Sequence, residues 1–412
     1  MPWTVSHDVE EALWQAASRL AHLQELPRGA LSAAIIARSR RYTSERESLH
    51  RPLAPGELDG DLAARAVFFT VADAAKIMIP LAELDRDALL PRTGPLSILD
   101  VGAGTGAMTL GVLDYLRRAD ALAGRSISIR AIDRDSRALA ILGDAVATLA
   151  ARWNATVTVE RDCRAVERSS SGPAGGLHSA DRGGVPGAEF GLAGSRDRFD
   201  LVLLGGLLNE LDEGSRPGLV RAASSAAGSE GTIICIEPAL RETSRDLHRL
   251  RDWVIENQLA RVVAPCVRRL APCPALADER DWCHEDRATV LPPRAGKLAG
   301  TTGLRSHGLK FAYLVLRPTP GEASEAGTGG PGGQEVVRVV SQLRKSKGKI
   351  ECFACGDTGR VSLRLLRRDR SAENRPFERL GRGDLAVIPR RLAGGGDVAR
   401  DDAIGSRSLD PP

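Results

Sequence analysis

The residues with the most specific chemistry in this chain are cysteines. Cys266, Cys273 and Cys283 lie within 18 residues of one another in a proline-rich stretch, and Cys355 follows far downstream. Thiolates bind metal ions and iron–sulfur clusters, and a chain in a reducing compartment rarely groups cysteines without such a use. A single isolated cysteine would more simply be a small buried apolar residue. We therefore predict a metal or iron–sulfur site on this loop.

The spacing of the cysteines bears on which metal they bind. Six residues separate Cys266 from Cys273, and nine separate Cys273 from Cys283. Only Cys352 and Cys355 form a C-x-x-C pair. Zinc ribbons usually carry two such pairs. Irregular spacing between prolines favours a [4Fe–4S] cluster, with structural zinc as the alternative. His284 is a further candidate, as a ligand or as a hydrogen-bond donor to one.

A glycine-rich turn forms the second candidate site. Gly102, Gly104 and Gly106 follow an apolar strand and open a helix, with Asp100 just before them. Glycine permits the tight turn and the close approach of a cofactor to the backbone. The pattern resembles motif I of S-adenosylmethionine-dependent methyltransferases. If Ala107 is taken as the last position of a G-x-G-x-x-A pattern, the turn is also compatible with a dinucleotide.

Two acids beyond the turn are candidates for cofactor contacts. Asp133 ends the second predicted strand, where a carboxylate can accept hydrogen bonds from both ribose hydroxyls. Asp162 ends the third, where the resemblance to methyltransferases implies a contact with the adenine amino group. The alternatives are a helix N-cap for Asp133 and a solvated loop acid for Asp162.

Asn209 and Glu210 follow the fourth predicted strand, where methyltransferases face their substrate. They are candidates for lining the pocket, and capping or pairing on the next helix is the alternative role for Glu210. No residue is assigned a catalytic role from the sequence.

A basic stretch covers residues 338–370, which carry ten Arg and Lys against three acids, a local net charge of +7. Such a density of positive charge attracts phosphate backbones, whereas a solvated surface is the alternative interpretation. The basic residues are Arg338, Arg344, Lys345, Lys347, Lys349, Arg360, Arg364, Arg367, Arg368 and Arg370.

The order of elements indicates an α/β chain built around a doubly wound, Rossmann-like parallel sheet, because strands alternate with helices from residue 96 onward. We predict five parts, together with a disordered insertion at 168–197 and a Cys-rich loop at 261–287 within the core. The parts are an N-terminal helical region (1–95), the core (96–317), a linker (318–334), a small basic β module (335–395) and a disordered tail (396–412).

Composition sets the remaining expectations. The chain has 412 residues, 42% of them hydrophobic, and no apolar run approaches the roughly 20 residues that span a bilayer. An odd number of cysteines, seven, does not suit a disulfide framework, and the N-terminus lacks a secretory signal. We expect a cytoplasmic monomer without a membrane partner.

Several short stretches around the cysteines resemble a known family. The stretches VVAPC, APCP and DWCH, preceded by LLNEL and IEP, are similar to the mitochondrial small-ribosomal-subunit methyltransferase-like family and its bacterial relatives. The resemblance implies a class I methyltransferase fold that binds S-adenosylmethionine, a [4Fe–4S] cluster and a role in small-subunit assembly on ribosomal RNA. Its K-G-x-V-x-x-x-x-C-x-x-x-G pattern selects Cys355 as the fourth ligand, after Cys266, Cys273 and Cys283.

The expected function is therefore that of an S-adenosylmethionine-binding, iron–sulfur-containing protein of small-subunit assembly and translation that methylates ribosomal RNA. The alternatives are a non-catalytic RNA-binding assembly factor on the same fold and a small-molecule methyltransferase with a structural zinc. The partner is expected to be small-subunit ribosomal RNA or the ribosome.

Overall fold

The computed structural model describes residues 2–45, 47, 52–166, 190–192, 194, 197–268, 270–304, 308–318, 329–330 and 333–412. The helices are α1 His7–Leu20, α2 Ala30–Thr43, α3 Leu58–Ala64, α4 Val71–Asp73, α5 Met78–Arg86, α6 Ala107–Arg118, α7 Ser136–Trp153, α8 Arg216–Ala227, α9 Arg241–Glu256 and α10 Pro293–Thr302. The strands of the core are β1 Leu96–Val101, β2 Ser126–Asp133, β3 Thr156–Cys163, β4 Leu201–Gly205, β5 Thr232–Pro238, β6 Ala260–Ala264, β7 Glu285–Ala288 and β8 Gly308–Pro318. Those that follow are β9 Gly329–Gly330, β10 Gln334–Val339, β11 Arg344–Ser346, β12 Lys349–Gly356, β13 Gly359–Leu366, β14 Leu385–Pro389, β15 Gly396–Val398 and β16 Gly405–Arg407.

The core sheet has the order β3-β2-β1-β4-β5-β8-β6, with β7 paired to β8. Strands β1 to β5 are parallel, and β8 is antiparallel to β5, β6 and β7. Alternate residues of β1 face opposite sides. Leu96 and Ile98 pack with the N-terminal helices, α6 and α7, whereas Leu99 and Val101 pack with α8 and α9. The sheet is thus covered on both faces, which agrees with the predicted α/β architecture.

The N-terminal region contains the helices α1 to α5, and the helical stretch that runs from α3 to α5 is irregular. Between α3 and α4 the segment Arg65–Thr70 forms a π-helix, and a 3-10 turn precedes α5. Within the described residues, no helix is both long and apolar enough to cross a bilayer.

The C-terminal module is a second sheet of order β15-β13-β12-β10-β14-β16 around its own apolar core. The prediction of a disordered tail at 396–412 differs from the structure, because β15 pairs with β13 and β16 with β14. Val398 and Ile404 are buried in the module core, and this packing holds the glycine-rich segment in place.

Two predicted irregular segments fall largely outside the described residues. Of the insertion at 168–197, only 190–192, 194 and 197 are described, and Phe190 and Leu192 are buried against the core. Of the linker at 318–334, residues 319–328 and 331–332 lie outside the described residues.

Candidate functional sites: a glycine turn and a thiol cavity

The glycine turn joins β1 to α6. Gly102, Gly104 and Gly106 have φ angles of +74°, +53° and +97°, in the left-handed region that favours glycine. A Cβ atom at Gly104 would project into open space, whereas one at Gly106 would overlap the side chain of Leu142. Gly104 therefore borders space that a cofactor can enter, and Gly106 is needed for packing of the helix against α7.

Asp133 lies beside this turn at the end of β2. Its Oδ2 accepts a hydrogen bond from the Gly104 N–H at 2.8 Å, and its Oδ1 accepts one from the Asp135 N–H at 2.9 Å. The N-cap role belongs instead to Asp135, whose Oδ1 accepts from the N–H groups of Arg137 and Ala138. The structure thus brings Asp133 to the turn, where its contact with a cofactor stays a prediction.

The other two predicted acids already have protein partners. Asp100 is buried and accepts hydrogen bonds from Thr109, at 2.6 Å from Oγ1, while burial raises the pKa of its carboxyl to about 6. Asp162 pairs with Arg130 at 3.1 Å and Arg164 at 2.9 Å. Burial opposes ionisation of Asp162, but these two guanidinium groups lower its pKa below the ordinary value. Cofactor contacts of both acids stay predictions.

The π-helical segment covers the glycine turn. Arg65 forms an ion pair with Asp135 at 2.7 Å, and the hydroxyls of Thr70 and Thr105 are 2.5 Å apart. π-Helical turns occur frequently at functional sites. No motif in the N-terminal region indicates that it packs over this turn.

Asn209 lies in a short turn after β4. Its Nδ2 donates to the Gly206 carbonyl at 2.7 Å, and its N–H donates to Glu237 Oε2 at 3.2 Å. Glu237 is buried at the end of β5, also accepts from the Leu208 N–H, and has its pKa raised to about 7 by burial. Asn209 and Glu237 line a cavity of about 10 Å³, barely enough for one water. Glu210 is exposed. Pocket roles for both residues stay predictions.

All four predicted cysteine ligands line one cavity of about 250 Å³. Cys266, Cys273 and Cys283 come from the loop after β6, and Cys355 comes from β12 in the C-terminal module. Cys352 is buried in the module core instead, because two residues three apart on a strand point to opposite faces. All seven cysteines of the chain are free.

Helix α9, which no motif in the sequence indicates, holds the cysteine loop. Asp252 Oδ2 accepts from the Cys273 N–H at 2.7 Å, and Arg251 donates to the carbonyls of Arg268 and Leu270 at 2.7 and 3.1 Å. Arg251 is 2% exposed and forms an ion pair with Asp252. Charged residues buried on one face of a helix are the signal that could have indicated this role.

Two more side chains of α9 complete this scaffold. Arg245 donates to the carbonyls of Ala275, Asp278 and Asp281, all at 2.7–3.0 Å. His248 Nε2 accepts from the Cys283 N–H at 3.0 Å, and burial lowers the pKa of this imidazole to about 4. Side chains of α9 therefore hold the backbone of the loop at several points.

The environment of the cavity opposes free thiolates. Burial, together with the neighbouring Cys266, raises the pKa of Cys273 to about 12 and that of Cys355 to about 11. The pKa of Cys283 is raised for the same reasons. Thiolates at these positions require a cationic partner. Among the described residues, no group of three or more His, Cys, Asp or Glu side chains is compact enough to hold a bare metal ion.

The predicted basic stretch at 338–370 needs a correction. Arg338 is only 5% exposed, and it forms a buried ion pair with Glu83 of α5 rather than facing solvent. Arg360 pairs with Asp281 and Arg364 with Asp397, two acids outside the stretch. The accessible positive charge is thus smaller than the sequence count of +7.

Comparison with known proteins identifies the family. The family model described as mitochondrial small ribosomal subunit Rsm22 matches residues 75–384, about three quarters of the chain, so the chain belongs to that family. No curated protein matches the chain. The family resemblance inferred from the cysteine loop is confirmed.

The solved structures to which the chain is similar include methyltransferases that use S-adenosylmethionine. One is magnesium protoporphyrin IX methyltransferase from Synechocystis with bound S-adenosylmethionine, 11% identical over 69% of this chain and 97% of that chain, with a TM-score of 0.33. Another is an S-adenosylmethionine-dependent methyltransferase of Leishmania major, 16% identical over 50% of this chain and 69% of that one, with a TM-score of 0.31.

Proposed function

From membership of this family, we propose that the chain acts on the small ribosomal subunit. It binds S-adenosylmethionine at the glycine turn and a [4Fe–4S] cluster in the thiol cavity, and it methylates small-subunit ribosomal RNA. The observation that carries the proposal is the convergence of four cysteines from two domains on one cavity. The predicted cytoplasmic location and monomeric state belong to the same proposal.

The residues around the thiol cavity suit an anionic, sulfide-bearing group. Six of the residues that line it have a buried nitrogen without a hydrogen-bond partner among the described residues. These nitrogens are Arg251 Nε, Arg268 Nε, Trp282 Nε1, His284 Nδ1, Arg338 Nε and Arg382 Nε. Buried donors without partners are costly, and hydrogen bonds to cluster sulfurs are a recognised means of tuning such centres. A [4Fe–4S] cluster on four thiolates is negatively charged and offers these acceptors.

The size of the cavity favours a cluster over zinc. A zinc ion draws four sulfurs to about 2.3 Å from one centre, whereas a cube of four irons accepts each thiolate at a different corner. The volume of about 250 Å³ is several times the roughly 30 Å³ that a water molecule occupies in the liquid. Bound there, the cluster would join Cys355 of the module to Cys266, Cys273 and Cys283 of the core through iron–sulfur bonds.

The glycine turn suits an adenosyl cofactor. Gly104 leaves the backbone accessible, and Asp133 holds its carboxylate beside that backbone N–H. We assign Gly102, Gly104 and Asp133 to the binding of S-adenosylmethionine, with Gly106 shaping the helix start. The cofactor supplies the methyl group, and the protein positions it at the carboxyl ends of the parallel strands.

A second candidate function is a non-catalytic assembly factor. The hydrogen bonds of Asn209 to Gly206 and Glu237 support this alternative. The cavity beside them has a volume of about 10 Å³, which leaves little room for a nucleobase. On this alternative the cofactor site would stabilise the fold, and the protein would bind ribosomal RNA without modifying it.

Transfer of a labelled methyl group separates the candidates. Purified protein is incubated with methyl-labelled S-adenosylmethionine and small-subunit ribosomal RNA, with Gly104→Val as the control that cannot bind cofactor. Label in the RNA for the natural protein alone supports the methyltransferase. Salt-dependent RNA binding without label supports the assembly factor. Absence of both binding and label would overturn the ribosomal proposal and leave the small-molecule methyltransferase.

A further inference from the structure

Two neighbouring loops form the predicted cofactor site. One is the glycine turn between β1 and α6, and the other joins β2 to α7. The N–H groups of Gly102 and Ala103 donate to the Ile132 carbonyl at 2.8 and 3.0 Å, and the Gly104 N–H donates to Asp133 at 2.8 Å. The two loops are therefore joined to each other at their base.

The π-helical segment Arg65–Thr70 of the N-terminal region contacts both loops. At its first residue, Arg65 Nη1 donates to Asp135 Oδ2 in the loop after β2, at 2.7 Å. At its last residue, Thr70 Oγ1 lies 2.5 Å from Thr105 Oγ1 in the glycine turn, and both of these threonines are buried. One short segment thus holds a side chain of each loop.

The π-helical conformation explains how the two ends of one segment reach both loops. Successive residues of an α-helix are rotated by about 100°, so residues five apart lie about 140° from each other around the axis. A π turn closes its hydrogen bond between residues i and i+5, which brings these two residues towards the same side. Arg65 and Thr70 are five apart, so the wider turn presents both to the cofactor loops, whereas an α-helix would direct one of them away.

The chain beyond the π-helical segment is packed closely on α6. A Cβ atom at Gly111 of α6 would overlap the carbonyl oxygen of Ala74 and the side chain of Ile77. Glycine is therefore needed at this position for the close approach of the two backbones. Because α6 is the helix that the glycine turn opens, the segment and the turn are fixed to the same element.

We propose that Arg65 and Thr70 are positioning residues for S-adenosylmethionine, which clamp the two cofactor loops in the conformation that accepts it. The inference rests on the proposed binding of this cofactor at the glycine turn and adds to that site two residues from outside the motif. The Asp135 N–H donates to Asp133, so the contact with Arg65 also acts on the carboxylate assigned to the cofactor. Loops that are held before binding do not have to be ordered by the ligand, so the clamp raises cofactor affinity.

The test measures the affinity for S-adenosylmethionine by calorimetry in variants of both residues. Thr70→Val keeps the shape of the side chain without its hydroxyl and should weaken binding about fivefold, whereas Arg65→Met removes a charged contact and should weaken it about tenfold. Thr70→Ser and Arg65→Lys retain the hydroxyl and the positive charge, and they should restore most of the affinity.

Amide hydrogen exchange of the cofactor-free protein separates a clamp from general destabilisation. In Thr70→Val the N–H groups of Gly104 and Gly106 should exchange faster, while those of β1 and β4 exchange as in the natural protein. Arg19→Met is the matched control, because Arg19 also joins the N-terminal region to α7 through an aspartate, Asp144, but away from the cofactor loops. It should leave both the exchange of the turn and the cofactor affinity unchanged.

The outcomes distinguish the clamp from the cofactor site itself. Unchanged affinity in both Thr70→Val and Arg65→Met would overturn the clamp and leave the cofactor site in place. An equal loss of affinity in Arg19→Met would also overturn the clamp, because the effect would then come from general stability. If the natural protein does not bind S-adenosylmethionine, both the clamp and the proposed cofactor site are wrong.

Discussion

The two candidate sites differ in how the chain builds them. The glycine turn and Asp133 come from adjacent strands within about 35 residues, and the backbone conformation itself forms the site. The thiol cavity needs a helix, a loop and a strand of another sheet, brought together from residues 245–355. A local motif can form its site as soon as one unit folds, whereas the cavity depends on docking of the C-terminal module.

Buried charge accounts for that docking. Arg338 of the module donates to Glu83 of α5 at 2.8 Å, and the Tyr313 hydroxyl donates to the same carboxylate at 2.8 Å. Burial alone would raise the pKa of Glu83, but Arg338 lowers it below the ordinary value. Residues from three regions thus meet in one buried cluster beside the cysteines. The following predictions test whether the two sites depend on such contacts to different degrees.

The largest effect is expected for Arg338→Met. Leaving Glu83 buried without its partner should lower the free energy of unfolding by about 3–5 kcal/mol, as measured by urea titration. The matched control is Arg344→Met, which removes an exposed partner at 3.9 Å and should cost less than about 1 kcal/mol. Combining Arg338→Met with Glu83→Met should recover much of the loss. Equal midpoints for the two single variants would contradict the docking role of this pair.

A pH effect is expected at Glu237, on the cofactor side of the core. Its pKa is about 7 in the folded protein against an ordinary value of 4.5, so the folded state binds more protons between these pH values. The contribution of Glu237 to the free energy of unfolding is therefore fully present below pH 4.5. It is lost as the pH rises through 7, and the loss is on the order of 3 kcal/mol. Glu237→Gln should flatten the pH dependence of the unfolding free energy, whereas Glu256→Gln, at an exposed position at the end of α9, should not. Identical profiles for Glu237→Gln and the natural protein would be the contrary result.

Gly104→Val is expected to have the smallest effect on stability but to abolish the binding of S-adenosylmethionine. A side chain at this positive φ costs about 1–2 kcal/mol and fills the space beside Asp133, so calorimetry should detect no binding of S-adenosylmethionine. Gly124→Val is the matched control, because Gly124 also has a positive φ of +73° and open space around it. It should retain cofactor affinity. Loss of binding in both variants, or in neither, would contradict the assignment.

Local patterns explain what the sequence could predict. The strand, turn and helix of residues 96–118 follow from apolar runs and glycines in one short segment, and the structure matches them closely. The predicted disordered tail was wrong because β15 and β16 are stabilised by pairing with strands that precede them by many residues. The charge count at 338–370 could not reveal that Arg338 is buried, since its partner Glu83 lies 255 residues away. Long-range contacts are the information that the sequence pattern lacks.

The same limit applies to the cysteine site. Cys266, Cys273 and Cys283 are conspicuous in the sequence, but α9, which orients their loop through Arg251 and Asp252, gave no motif. Its apolar face packs on the core in the usual way through Leu247, Leu250 and Val254. Arg251 and Asp252 are buried as well because they bind loop backbone groups, which an amphipathic pattern does not reveal.

The measurement that tests the central claim most directly is iron and sulfide analysis of anaerobically purified protein, with Cys355→Ser compared with Cys352→Ser. We predict four irons and four sulfides per chain in the natural protein and in Cys352→Ser. Cys355→Ser should lose the cluster and become susceptible to protease between the core and the module. One zinc per chain in a colourless protein would contradict the iron–sulfur assignment. No metal, with no change in Cys355→Ser, would contradict the four-cysteine site itself.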